Sequence, residues 1–157
     1  MATAKTNAVR ILESLHITHR MHEYECDDDS IDAISVAHTL GAEEEAVFKT
    51  LVTHGDENGY NVFCIPGNFD LNLKKGAAVS GNKKIELVHV KELLPITGYI
   101  RGGCSPIGMK KHFPTYIDET ALLFDGIYVS AGVRGKQIFI NPNDLCEAIE
   151  ATFADLT

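Results

Sequence analysis

The stretch Gly98-Tyr99-Ile100-Arg101-Gly102-Gly103-Cys104-Ser105-Pro106-Ile107-Gly108 sets four glycines and a proline within eleven residues. Glycine reaches backbone angles that other residues avoid and lets a ligand come close to the main chain. Proline holds such a loop in one shape. The composition fits a rigid loop that presents backbone N–H groups, the equipment for holding an oxyanion or a phosphate. A second cluster, Ser130-Ala131-Gly132-Val133-Arg134-Gly135, has the same character. A third feature is a lysine inside an apolar run, Val47-Phe48-Lys49-Thr50-Leu51-Val52. Strand lysines usually sit exposed on an edge. One among apolar neighbours and close to glycine loops can neutralise a phosphate or orient an oxyanion. Together the three features suggest a site for a small ligand or a nucleotide end.

The common motifs for such sites fail on spacing. There is no Gly-x-Gly-x-x-Gly. The run Gly103-Cys-Ser-Pro-Ile-Gly108-Met109-Lys110 approaches a P-loop, but its lysine comes one place late and no Ser or Thr follows. Gly132-Val-Arg-Gly135 matches a KH-type loop, yet strand-like runs flank it where helices are required. The nucleophile elbow Gly-x-Ser-x-Gly is absent. Ser105 precedes a proline in a turn, a structural setting, and Cys104 reads as a buried loop thiol more readily than as a nucleophile. His16, His19 and His22 run from a helix end into a strand, so they cannot share one helical face, and no metal site is expected.

The elements that must position these residues follow from periodicity. Ala8, Val9, Ile11, Leu12 and Leu15 predict an amphipathic helix over 5–15, and a strand follows at 20–25. Asp27-Asp28-Asp29-Ser30 is a loop, with Ser30 the N-cap of a helix over 31–39 that Gly41 ends. Glu43-Glu44-Glu45 suits a helical turn. Strands at 47–53 and 60–65 join through a hairpin loop at 55–59. A helix opens at Leu71 and ends near Gly81, a strand covers 85–88, and a helix over 90–94 stops at Pro95. Further strands are expected near 98–101, 113–117, 126–130 and 136–140, and a last helix runs from Asn141 to about 153 with Pro142 in its first turn. Strands outnumber helices without βα alternation, which predicts an α+β fold.

The 157 residues fit one domain with a full core. No apolar run approaches the roughly 20 residues that cross a bilayer, and the N-terminus lacks the apolar stretch of a signal peptide. A cytoplasmic protein is therefore expected, with Cys26, Cys64, Cys104 and Cys146 as free thiols. The net charge of −8 argues against nucleic acid, but its distribution does not. Residues 74–136 carry ten Lys/Arg against five Asp/Glu, and the remainder carries four against seventeen. Both glycine loops thus lie in a basic segment of an acidic chain, suited to drawing phosphates locally.

Three ordered motifs resemble one family over nearly the whole chain. They are Phe48-Lys49-Thr50-Leu51, Gly98-Tyr99-x-x-Gly102-Gly103-x-Ser105-Pro106-x-Gly108-x-Lys110-Lys111 and Tyr128-Val129-Ser130-Ala131-Gly132-x-Arg134-Gly135. In order and spacing they resemble the YbaK/EbsC family of free-standing aminoacyl-tRNA deacylases, similar to the editing domain inserted in bacterial prolyl-tRNA synthetases. The early strand with Tyr24 and the late Phe153-Ala154-Asp155 share the resemblance.

The resemblance implies a mixed, barrel-like β-sheet with helices outside. It implies hydrolysis of cysteine mischarged on proline tRNA, or of a similar small amino acid, without metal or other cofactor and with no membrane. Lys49 falls on the family's essential lysine, and Tyr24, Thr50, Gly103 and Ser130 fall on other pocket positions. Lys49 would hold the terminal phosphate or ribose, and Gly102 and Gly103 would supply oxyanion N–H groups. Tyr24, Thr50, Ser105, Ser130, Gly132 and Arg134 complete the substrate-binding set. Cysteine-acting members use the substrate's own thiol as attacking group, which fits the lack of a protein triad. Gln137 stands where Cys-specific members often carry an acid. Alanine editing, or noncatalytic binding of an aminoacyl or nucleotide group, are the alternatives. The partners implied are the acceptor end of tRNA(Pro) and prolyl-tRNA synthetase, which would choose the tRNA for so small a protein.

Overall fold

The structure, a computed structural model, describes residues 5–27 and 31–157. In chain order these residues form α1 (Asn7–Ser14), β1 (His19–Glu23), α2 (Ala33–Leu40), β2 (Phe48–Gly55), β3 (Gly59–Pro66), α3 (Leu73–Val79), β4 (Ile85–Leu87), α4 (Val90–Thr97), β5 (Thr115–Asp118), β6 (Ile127–Ser130), β7 (Lys136–Ile140), α5 (Pro142–Ala148) and β8 (Thr152–Ala154). Short 3-10 turns cover Glu44–Ala46 and Glu119–Leu123. None of these helices is long and apolar enough to cross a membrane.

Helices begin where a polar side chain meets an orphan N–H. Thr6 accepts from the Val9 amide at 3.3 Å, and Asn72 and Asn141 do the same at the starts of α3 and α5. Ser30, the expected cap of α2, lies outside the described residues. Asp32 accepts from the Ser35 amide at 3.1 Å and caps that helix, and Gly41 closes it in the left-handed conformation at φ 67°.

The α+β class holds, but the sheet is not barrel-like. Two open sheets form, a three-stranded one in the order β1-β7-β6 and a five-stranded one in the order β4-β2-β3-β5-β8. Among the described residues they meet at one parallel bridge, Val47 to Tyr128, while β4 and β8 remain edges, so the hydrogen-bonded ladder does not close. Closure needs a continuous ladder through every strand.

Three other expectations are corrected. Pro95 does not stop α4, which runs on to Thr97. The missing proline N–H forgoes a bond to the carbonyl of Lys91, an exposed residue, and the turn is closed by Thr97 Oγ1 to the Leu93 carbonyl at 2.8 Å and the Gly98 amide to the Leu94 carbonyl at 2.8 Å. Residues 98–101 form turn and loop rather than a strand. The last helix ends at Ala148, Glu150 turns the chain at φ 52°, and β8 then pairs parallel to β5.

The side-chain period of two sorts the three-stranded sheet into a core face and a site face. Ile127, Val129, Ile138 and Ile140 are buried with Ala8, Val9 and Leu12 of α1, Leu145 of α5 and Phe48 of β2. The register sets His22 and Ser130 opposite Gln137. Those residues alternate with the core set and so face the other way. Phe48 at the head of β2 enters the same core, and Lys49, one residue on, turns away from it.

Candidate active site

The two sheets and α2 enclose a cavity of about 550 Å³. Its lining includes Lys49 and Thr50 from β2, Gly102 and Cys104 from the long glycine loop, and Ser130 and Gln137 from the three-stranded sheet. Residues 49, 102 and 130 are far apart in sequence. They meet because β2 runs beside β6, which the Val47–Tyr128 bridge joins to it, and because the glycine loop folds over the second glycine cluster.

Lys49 is half-buried, and its Nζ donates to the Gly67 carbonyl at 3.3 Å. Gly67 follows the end of β3 and is held by its amide to the Val47 carbonyl at 2.8 Å. A Cβ on Gly67 would lie 1.9 Å from the Ala33 Cβ, so α2 packs directly on this turn. Among the described residues the ammonium is thus held at the cavity wall by one neutral acceptor, and its other protons are left to face a ligand. Beside it, Thr50 Oγ1 lies 3.8 Å from the Cys64 sulfur.

The glycine loop is locked from behind. Gly102 adopts φ 84°, and a Cβ there would lie 2.9 Å from the Ile31 Cβ and 3.1 Å from Arg134 Nε. Arg134 Nε donates to the Arg101 carbonyl at 2.9 Å and so ties the two glycine clusters together. Gly103 packs on the backbone of Val133 and Arg134. Its N–H donates to the Ile100 carbonyl at 3.0 Å, which removes it as a second oxyanion donor. The expected pair of backbone donors therefore reduces to Gly102, which lines the cavity, while Gly103 shapes the turn beneath it.

Ser130 supplies the further polar group. Its Oγ accepts from the Gly132 amide at 3.1 Å, which leaves the hydroxyl proton for the cavity. Gly132, at φ 109°, makes that bond possible and packs against the Tyr99 ring. Tyr24 reaches the site through Gln137, whose Nε2 donates to the Tyr24 hydroxyl at 3.3 Å. Ser105 is fully buried, and its Oγ accepts from the Ile107 amide at 3.2 Å, a loop-internal bond away from the cavity wall. Of the sequence-derived candidates, Lys49, Thr50, Gly102 and Ser130 line the cavity. Tyr24, Gly103, Gly132 and Arg134 support that wall from behind, and Ser105 braces the loop.

The thiols of Cys104 and Cys64 are both pushed up to about 12 by burial. A thiol that far above neutrality stays protonated and is a poor nucleophile. Among the described residues of the lining, Asp32 and His89 are exposed, and Asp32 is engaged as the cap of α2. Sequence reasoning missed the Gly67 carbonyl behind Lys49, the Cys104 lining and the rim formed by Leu87, Val90 and Arg101. Arg101, a charged residue inside a glycine loop, was the available signal.

A model of the aminoacyl-tRNA editing domain matches residues 29–148. A protein of Enterococcus faecalis, provisionally named Cys-tRNA(Pro)/Cys-tRNA(Cys) deacylase EbsC, is 50% identical over 153 residues, covering 98% of this chain and 93% of that protein. A proline–tRNA ligase of Thermosipho melanesiensis is 24% identical over 135 residues, which is 78% of this chain and 23% of the ligase. The crystal structure of a protein provisionally described as a trans-editing enzyme for prolyl tRNA synthetase superposes with a TM-score of 0.81 at 25% identity, covering 98% of this chain and 99% of that one.

Proposed function

Because this chain belongs to the aminoacyl-tRNA editing domain family, we propose that it removes cysteine mischarged on tRNA(Pro), acting in trans as a single deacylase domain in the cytoplasm. The observation that carries the reading is the cavity. It gathers one ammonium, two hydroxyls and a glycine backbone around one space, while the described thiol on its wall stays protonated. Such a site can hold an ester and stabilise the charge that develops on its carbonyl oxygen. It offers no activated cysteine to attack that carbonyl.

The substrate supplies the attacking group. The cysteinyl sulfur bonds to the ester carbon, and the bond from that carbon to the ribose oxygen breaks. The ribose oxygen takes up the proton that the thiol gave. The products are tRNA with a free terminal hydroxyl and a cysteine thiolactone, which water opens to cysteine. Lys49, the Ser130 hydroxyl and the Gly102 N–H surround the carbonyl and the leaving ribose. Chemistry, rather than pocket size, then rejects alanine, since one small group alters binding by only about 1–3 kcal/mol. The choice of tRNA falls to a partner, prolyl-tRNA synthetase, because 157 residues leave little surface for reading a tRNA body.

Cys104→Ala distinguishes substrate thiol from protein thiol. The variant is expected to release cysteine from Cys-tRNA(Pro) within about threefold of wild type, and a loss of about a hundredfold would make Cys104 the nucleophile. The pH profile separates the same alternatives. A raised thiol pKa means the thiolate forms only on approach to that pKa, so attack by Cys104 would keep accelerating toward pH about 12. Attack by an ordinary substrate thiol is half-maximal at about pH 8.5 and levels off above it.

A further inference from the structure

The cavity is larger than a cysteinyl group needs. A space of about 550 Å³ falls in the range that takes drug-sized ligands. Its buried and half-buried polar groups lie on β2, the glycine loop and the three-stranded sheet, while Asp32, His89 and Arg101 are exposed on its lining. Its rim is different. Leu87 and Val90 line it, yet they are 53% and 60% exposed. Exposed apolar side chains at a cavity rim suit a ligand that covers them. The rim is also rigid. Leu87 is paired with Thr53 of β2, and the Val88 amide donates to the Val52 carbonyl at 3.0 Å.

Arg101 is exposed and lines the same cavity. Its backbone is fixed where Arg134 Nε holds its carbonyl at 2.9 Å. A guanidinium presented from a pinned backbone suits a phosphate.

We propose that Leu87 and Val90 seat the terminal base of the tRNA and that Arg101 holds the phosphate preceding it. The assignment rests on the deacylase reading. An aminoacyl group held at Lys49 and Ser130 is covalently joined to the terminal ribose, so the nucleoside must leave through the rim. Bases pack against apolar side chains through their faces. An apolar lip and a cation on the lining of one cavity match a base and its phosphate.

Stepwise substrates test it. Cysteine ethyl ester carries neither base nor phosphate, 3′-cysteinyl-adenosine adds the base, and 3′-cysteinyl-AMP adds the phosphate. Val90→Asp is expected to lower the preference of kcat/KM for cysteinyl-adenosine over the ethyl ester about tenfold. Position 90 opens α4, where an acid suits the helix, so folding is not at issue. Arg101→Ala is expected to lower the preference for cysteinyl-AMP over cysteinyl-adenosine about tenfold. Unchanged preferences, or equal losses on all three esters, would overturn the assignment. A wild-type protein that cleaves none of the three would instead overturn the deacylase reading and the subsite with it.

Discussion

Lys49→Ala is expected to lower cysteine release from Cys-tRNA(Pro) by about 10²–10³-fold, the usual loss when one preorganised donor is removed from a reacting carbonyl. The fold should survive. Lys49 is half-exposed on β2, and the substitution deletes one 3.3 Å bond to the Gly67 carbonyl. That bond contributes about 1 kcal/mol, and the carbonyl it leaves faces a cavity that water can enter. The melting temperature should therefore move by only a few degrees. The Gly67 turn keeps its own anchor to the Val47 carbonyl at 2.8 Å, so the wall behind the lysine stays in place. Cysteine release near the wild-type rate would remove Lys49 from the mechanism.

Gly102→Ala is expected to impair both stability and turnover. At φ 84° the backbone is left-handed, which costs a residue with a Cβ about 1–2 kcal/mol. The added carbon would also lie 2.9 Å from the Ile31 Cβ and 3.1 Å from Arg134 Nε. To relieve this the loop must shift, and with it the Arg134 bond to the Arg101 carbonyl. A displacement near 1 Å at a reacting group lowers turnover about 10²-fold. Thermal unfolding and kcat/KM measured on the same preparation check both parts. Wild-type values for both would show that the loop does not depend on this backbone conformation.

The glycine clusters and Lys49 were legible in the sequence because each is a residue type in a setting it normally avoids. A lysine within an apolar strand, or four glycines around a proline, needs a local cause. What surrounds them was set by pairing between distant segments. The Gly67 carbonyl meets Lys49 because β2 and β3 are antiparallel, with Lys49 opposite Ile65 and the turn just beyond. Nothing near residue 67 announces that contact. Gly102 and Gly103 look equivalent on paper, yet one lines the cavity and the other closes a turn on Ile100. The Leu87–Val90 lip read as an ordinary strand end and helix start, and only its exposure beside the cavity sets it apart.

The errors of fold have the same origin. Thr152–Ala154 is too short for alternation to show, and it becomes a strand only because β5 offers an edge. Pro95 reads as a helix stop because the lost hydrogen bond is visible in sequence. The capping bonds at Thr97 and Gly98 that keep the last turn in place are not. The open pair of sheets differs from the expected barrel because a ladder closes or stays open according to strand registers, which single residues do not encode.

The most direct test of the account sets Cys-tRNA(Pro) beside Ala-tRNA(Pro), with the same tRNA preparation and the released amino acid measured over time. The account predicts rapid loss of cysteine and loss of alanine no faster than the uncatalysed background, because alanine carries no sulfur to attack its own ester. Equal release of both amino acids would contradict it, and would require water to be the attacking group in this cavity.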